Sequence, residues 1–388
     1  MFLLWHTVNF GAEKPRFRCG ILGFMQKLGA LPSQKIEELI AAGFIEGADK
    51  SNVSPASLDL SLSNEVYEIQ GLVLPKPGAS IRSLFEILGA KPVSVEKPLM
   101  CGKLYLARLN EVLSLPKQVY GYCNPKSSTG RLDVHVRVLA DGVSRYDSVT
   151  PRGFSGELWA AIFPKSFSIQ VHELTPLTQL RLFTQDTRFS ELDLEIAMKD
   201  GLVWDAHRDK PLIYEDLVTS DQDGAIVLSA LVEEGLCGYH CIAKPEQVID
   251  MQDIAAYESE DFFEPLTLKD GMLHLERDNF YILSSAERVR IPPVLASEMM
   301  PVDERSGDFR SHYAGFLDPG WGWGKTGEGK GRPFTLEVRP FENLIVRSGQ
   351  PVAKIKFEKM AEEPDIHYDS KQSNYLKQLG PKLGKQFK

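Results

Sequence analysis

Tyr105–Pro116 reads YLARLNEVLSLP and Tyr281–Pro292 reads YILSSAERVRIP, with the same spacing from tyrosine to proline. Each stretch leads into a polar segment and then a proline-marked strand pair, so the chain contains one unit written twice. The copies differ where chemistry would sit. The first carries Asn124-Pro125-Lys126-Ser127-Ser128-Thr129-Gly130-Arg131, and the second has Met300-Pro301-Val302 in place of Lys-Ser-Ser. The second carries Glu337 three residues before Pro340, where the first has Ala161 three before Pro164. One copy is equipped to hold an anion and the other to move protons. A single site shared between them is the expectation.

A length of 388 residues exceeds what one hydrophobic core usually organises, which agrees with two domains. Hydrophobic content of 43% and charged content of 25% are those of a soluble globular chain. The balance of 44 basic against 53 acidic residues argues against binding a nucleic-acid polymer. No apolar run approaches a membrane span, and the N-terminal FLLW is too short for a signal-peptide core. Five cysteines without a paired framework point to a reduced, cytoplasmic setting.

Ser33–Gly43 reads as a short amphipathic helix, with Ser33 as N-cap, Ile36, Leu39 and Ile40 as its stripe and Gly43 as its end. Ala56–Ser63 (ASLDLSLS) alternates with period two and predicts a strand with one buried face. Val134–Val138 and Phe167–Val171 alternate likewise, and Thr335–Pro340 and Val352–Phe357 read as the last strands of the second half. Many short strands broken by turns predict a barrel or sandwich, not a doubly wound α/β fold. The expected division is an N-terminal segment 1–32, a first repeat 33–185, a charged connection 186–222 with room for one helix, a second repeat 223–360 and a polar arm 361–388.

Lys126–Arg131 offers two cations and three hydroxyls on a flexible turn, a composition that converges on an anion. A solvated polar turn has the same composition. Glu337 lies in the otherwise apolar TLEV strand, so it either faces water or sits in a dry pocket with a raised pKa. Phe316–Gly324 (FLDPGWGWG) is a turn that could present Asp318 and a tryptophan to a flat ring, or simply close a hairpin. Cys237 and Cys241 invite a zinc reading, but no second ligand pair lies at a suitable spacing, and no zinc site is expected.

With these residues laid out, the chain resembles the dCTP deaminase branch of the dUTPase-like superfamily, in its long, duplicated bacterial form. ASLDLSL (Ala56–Leu62) is similar to the family's first motif, and Lys126-Ser127-Ser128-Thr129-Gly130-Arg131 matches its Arg-Ser-Ser-x-x-Arg phosphate motif with Lys for the first Arg. Counting back from Asp318-Pro-Gly-Trp321 puts Arg305 on the family's second Arg. Glu337 falls on its catalytic Glu, although an insertion, Gly322–Gly331, lengthens the preceding turn. The tail Tyr368…Tyr375-Leu-Lys-Gln378-Leu-Gly380 resembles the closing arm.

The resemblance implies a mainly β fold of two tandem dUTPase-like distorted β-barrel or β-clip domains with a few short helices. It implies hydrolytic deamination of dCTP to dUTP and ammonia. Alternatives are a dUTPase or bifunctional deaminase–diphosphatase, and a non-catalytic nucleotide-binding assembly protein. Glu337, Arg305 and Ser127 would be catalytic. Lys126, Ser127, Ser128, Thr129, Gly130, Arg131, Asp318, Trp321, Thr335, Leu336, Tyr368 and Gln378 would bind substrate. Mg²⁺ would be held through the triphosphate, with no protein metal cage and no zinc. Family members build sites across subunit boundaries, so a homo-oligomer, trimer or pseudo-hexamer, is implied.

Overall fold

The computed structural model describes residues 27–205, 208–217, 222–300, 309–311 (backbone only), 315–370 and 380–388. The fold is mainly β. In the first repeat, β1 (Ser57–Ile69), β2 (Leu104–Ser114), β3 (Tyr120–Pro125), β4 (Val134–Ala140), β5 (Ser155–Pro164) and β6 (Pro176–Phe183) form a sheet in the order β4-β5-β2-β1-β6-β3. All of these neighbours are antiparallel. In the second repeat, β7 (Ala225–Ser229), β8 (Tyr281–Val289), β9 (Leu295–Met300), β10 (Arg332–Pro340) and β11 (Pro351–Lys359) divide between two sheets. β10 pairs with β8, and β11 lies between β7 and β9.

Strand register bears out the internal repeat. Leu106 of β2 faces Ala161 of β5, and Ile282 of β8 faces Glu337 of β10. The hydroxyls of Tyr105 and Tyr281 each accept from a backbone N–H five residues earlier, both at 2.8 Å. Further along each pair the register slips, and a carboxylate turns inward at the slip. Glu111 accepts from Ser61 N and Oγ, and Glu287 accepts from Ser229 N and Oγ. Such pinned carboxylates belong to the fold, since both copies keep them.

Local chemistry corrects several expectations. The first helix runs Ser33–Ala41, and its N-cap is Pro32, which has no side chain to cap with. Ser33 N instead donates to Pro55 O, tying the helix start to the strand that follows. Gly43, at φ +75°, ends the helix as expected. β1 does not have one wet face: Ser57, Ser61 and Ser63 are buried with their apolar neighbours. Their hydroxyl side is a polar interior, in which Ser57 Oγ donates to Gln179 Oε1 at 3.1 Å.

The stretch 186–222 does more than connect. It holds a helix, Glu191–Met198, started by a Ser190–Asp193 capping box. Phe189, Leu194, Met198 and Leu202 are buried in the second repeat's core. The C-terminal arm likewise ends in a core, because Leu383 and Phe387 are buried in a cluster drawn from both repeats, where Phe387 packs edge-on against Phe262 and Phe263.

The repeats are joined through polar contacts as well as apolar ones. Ser168–Gln170 runs parallel to Val248–Asp250. Arg181, 1% exposed, is ion-paired to Glu358 and lies 3.6 Å from Glu298, both in the second repeat. Arg339 of β10 reaches back to Asp133 and, at 3.0 Å, to Ser166 Oγ. A buried arginine is stable only with such partners, so these contacts fix how the repeats sit together. No helix among the described residues is long and apolar enough to cross a membrane.

Candidate active site

β3 ends at Pro125, and the chain then folds into one helical turn, Ser127–Gly130. Lys126 N donates to Leu177 O, and the amides of Thr129 and Gly130 return to Lys126 O. This winding leaves Ser127 and Ser128 at a cleft, and neither hydroxyl has a protein partner among the described residues. It also turns Thr129 inward, where Oγ1 donates to Leu177 O at 3.0 Å.

The cleft encloses about 190 Å³ between the repeats. Ser54, Lys126, Ser127, Ser128, Arg131 and Gln179 come from the first repeat. Met299, Gly315, Phe316, Leu317, Asp318, Trp321, Phe334, Thr335 and Tyr368 come from the second half of the chain. Glu337 lies two residues beyond Thr335 on the same face of β10, just beneath this wall, and is 1% exposed. Its Oε1 is 3.7 Å from Arg131 Nε, within ion-pair range but too long for a hydrogen bond. The motif of one copy and the carboxylate of the other therefore meet inside a single chain.

Burial pushes the Glu337 carboxyl up to about 8, outweighing the opposite pull of the Arg131 charge. Asp318 is pushed up by burial to about 6, while its Oδ1 accepts from Ala56 N at 3.1 Å. Lys126 is ion-paired with Asp59 of β1. Among the buried side-chain atoms without a hydrogen-bond partner in the described residues are Asp59 Oδ1, Trp321 Nε1 and Glu337 Oε2, in or beside this cleft. Buried polar groups are normally satisfied, so these three atoms are placed where a ligand in the cleft could supply a missing bond.

The root of the arm is clamped to the same cleft. Tyr368 N donates to Pro319 O, and its ring packs 5.0 Å from that of Trp321. Arg332, at the start of β10, holds Asp369 through two bonds of 2.6 and 2.9 Å. Gly320 lies under this crossing at φ +89°, and a Cβ there would meet His367 Nδ1 at 2.5 Å. Only glycine lets the arm pass so closely.

Of the residues expected to bind substrate, Lys126, Ser127, Ser128, Arg131, Asp318, Trp321, Thr335 and Tyr368 line the cleft. Thr129, Gly130 and Leu336 do not. They are buried in the fold, Leu336 within the second core, because each shares its backbone turn or strand with a residue that faces the cleft. Arg305, Gln378, Tyr375, Pro301 and Val302 lie outside the described residues. The sequence reading missed Ser54, Asp59, Gln179, Met299 and Phe334. Asp59 alone had a signal, as the single charge within an alternating apolar strand.

In the first copy, Trp159 occupies the register position of Thr335, and Ala161 that of Glu337. Trp159 is fully buried and packs edge-on against Phe85 at 5.4 Å, within a cluster that includes Ile81, Leu84 and Leu88. Glu157 of β5, a carboxylate near this position, is bound by Arg82 and Arg108. Cys237 is buried in the second core, and Cys241 packs against the first.

Two family profiles match the chain. Residues 27–186 match the 2'-deoxycytidine 5'-triphosphate deaminase (DCD) N-terminal domain, and residues 199–387 match the C-terminal domain of the same enzyme. The fold is similar to the crystal structure of 2'-deoxycytidine 5'-triphosphate deaminase from Agrobacterium tumefaciens. The TM-score is 0.78 at 33% sequence identity, covering 87% of this chain and 97% of that one. No curated protein matches the chain significantly.

Proposed function

The chain belongs to the 2'-deoxycytidine 5'-triphosphate deaminase family and deaminates dCTP; from that premise we propose that Glu337 is its proton-transfer group and that Lys126–Arg131 grips the triphosphate. The observation that carries this reading is the approach of Glu337 to Arg131 beneath the cleft, 3.7 Å apart and both nearly inaccessible to water.

A carboxyl with a pKa near 8 holds a proton for part of the time at neutral pH and can also release it. In the proposed cycle Glu337 gives its proton to N3 of cytosine, and as carboxylate takes one from a water attacking C4. Arg131 steadies the carboxylate form. The tetrahedral adduct then collapses to the C4 carbonyl, and the amino group leaves as ammonia with a proton returned through Glu337. The atoms balance as dCTP plus water giving dUTP plus ammonia. Positioning of a desolvated water can supply much of the acceleration.

Ser127 and Ser128 would donate their unpartnered hydroxyls to phosphate oxygens, and Arg131 its fork. Trp321 and Asp318 would meet the sugar and base, with Tyr368 covering them. Mg²⁺ would arrive on the triphosphate and neutralise its charge. Asp59 Oδ1 and Glu337 Oε2 are orphaned carboxylate oxygens there, too few for a protein cage, which suits an ion held by the phosphates. Both halves of the site come from one chain, so association into a trimer or pseudo-hexamer would join sites rather than build them.

The test is incubation with dCTP and with dUTP, resolving ammonia, dUTP, dUMP and pyrophosphate. Ammonia with dUTP is expected. Pyrophosphate from either nucleotide would establish phosphate-chain hydrolysis on this scaffold, and no turnover of either would sink the catalytic reading.

A further inference from the structure

Thr335, Glu337 and Arg339 alternate along β10 and so share one face of it. Thr335 lines the cleft, Glu337 Oε1 lies 3.7 Å from Arg131 Nε, and Arg339 is ion-paired with Asp133. Arg131 and Asp133 are themselves two residues apart, where the turn that begins at Lys126 closes. An acid and a base on one repeat therefore meet a base and an acid on the other, in matching order. Only one register satisfies both pairs. A slip of two residues either way would set Glu337 against Asp133, or Arg339 against Arg131.

The outer pair is the more firmly held. Asp133 is fully buried at φ +53°, a left-handed conformation that Asp tolerates better than most residues. Its Oδ2 accepts from Arg339 Nη2 and, at 2.7 Å, from Ser166 Oγ, which in turn accepts from Arg339 Nη2 at 3.0 Å. Arg339 Nη1 also donates to Asp278 O, in the turn before β8. The inner pair is too far apart for a hydrogen bond, so its contact does not by itself fix its spacing. The first copy supplies a control. At the register positions of Glu337 and Arg339, β5 carries Ala161 and Phe163, and the Lys165 ammonium lies 4.0 Å from the centre of the Phe163 ring. The strand without the acid is also the strand without the arginine.

We infer that Asp133 and Arg339 are positioning residues for the deamination: their ion pair locks β10 to the end of the phosphate turn and thereby sets where Glu337 stands relative to Arg131. This rests on the reading of Glu337 as the proton-transfer group. Neither residue lines the cleft, so both act through Glu337 and not on the nucleotide.

The experiment uses the full chain with Asp133→Asn, Arg339→Gln, Arg339→Lys, Ser166→Ala, Glu337→Gln and the Arg339→Gln/Glu337→Gln pair. For each, kcat and KM for dCTP are measured by ammonia release and corrected for the folded fraction. A displacement of about 1 Å at a reacting group can cost about 100-fold, so Asp133→Asn and Arg339→Gln should lower kcat about 10- to 100-fold, with KM within about twofold. Arg339→Lys, which keeps the charge, should recover most of that loss. In the Glu337→Gln background Arg339→Gln should cost less than about twofold more, because no acid is left to position. Ser166→Ala loosens the pair without unpairing a charge and should lower kcat about threefold. Wild-type kcat in Asp133→Asn and Arg339→Gln overturns the inference, as does a loss that multiplies with that of Glu337→Gln. If those variants do not fold, wild-type kcat in Ser166→Ala overturns it instead. Full activity in Glu337→Gln would remove the proton-transfer reading itself. Loss in Glu337→Gln beside full activity in Arg339→Gln would leave that reading standing and strike only the positioning pair.

Discussion

β5 and β10 occupy the same place in two copies of one unit, and they have been put to opposite uses. Along β10, Thr335 faces a cleft and Glu337 lies dry beneath it, within reach of a guanidinium from the other copy. Along β5, the same register positions hold Trp159 and Ala161, sealed under Ile81, Leu84 and Leu88. A polar pocket costs stability, and a duplicated chain needs that cost in only one copy. The other copy has converted its pocket into core. The difference teaches that the missing carboxylate is not compensated nearby: the space it would serve is filled.

The largest test of this contrast is Glu337→Gln. It should keep dCTP binding and lower kcat by about 10²–10⁴-fold, the usual share of a positioned proton-transfer group. Full activity in that variant, measured by ammonia release, would break the comparison at its centre. Trp159→Ala should act on stability instead, costing about 3–5 kcal/mol in denaturant unfolding while kcat per folded molecule stays put. Ala161→Glu writes the β10 residue into β5. It should cost a similar amount, roughly 3–5 kcal/mol, by burying a carboxyl among apolar side chains, and in a Glu337→Gln background it should restore no ammonia release. Restored activity would show that the first copy's pocket is not closed.

How much of this was legible in the sequence follows the same division. The repeat was readable because a tyrosine, a carboxylate and a proline recur at fixed spacing. Glu337 stood out as the one charge inside TLEV, but alternation alone left it free to face water; the family resemblance singled it out, as it did Asp318 in its glycine-rich turn. Gln179, Ser54 and Met299 were not, since three strands distant in sequence bring them to one wall and none stands out in its own segment. A helix between the repeats was readable, but its bounds, Glu191–Met198, were not, because Leu192 and Ile196 are exposed and blur its apolar stripe. The docking of Leu383 and Phe387 was hidden by the polar residues around them. Period-two alternation also misled at β1, because it tells which residues share a face but not whether that face meets water. Ser61 faces Glu111 instead.

pH separates what the copies share from what one of them owns. Glu111 and Glu287, one per copy, are both raised by burial, Glu111 to about 7, while Glu337 is raised to about 8 and has no counterpart. A carboxyl whose folded pKa lies above its unfolded value binds more protons in the folded state between the two. Its contribution is therefore fully present below about 4.5 and is lost as pH rises through the folded pKa. The ligand-free protein should lose stability across this window. Glu337 contributes at most about 1.4 kcal/mol per pH unit to that slope. Glu337→Gln should flatten the slope by that one increment up to about pH 8, leaving the other raised carboxyls, Glu111, Glu287 and Asp318 among them, to shape the remainder. Parallel wild-type and variant stability curves from pH 5 to 8.5 would mean that Glu337 is ionised in the free enzyme. The proton it moves would then have to be taken from water first.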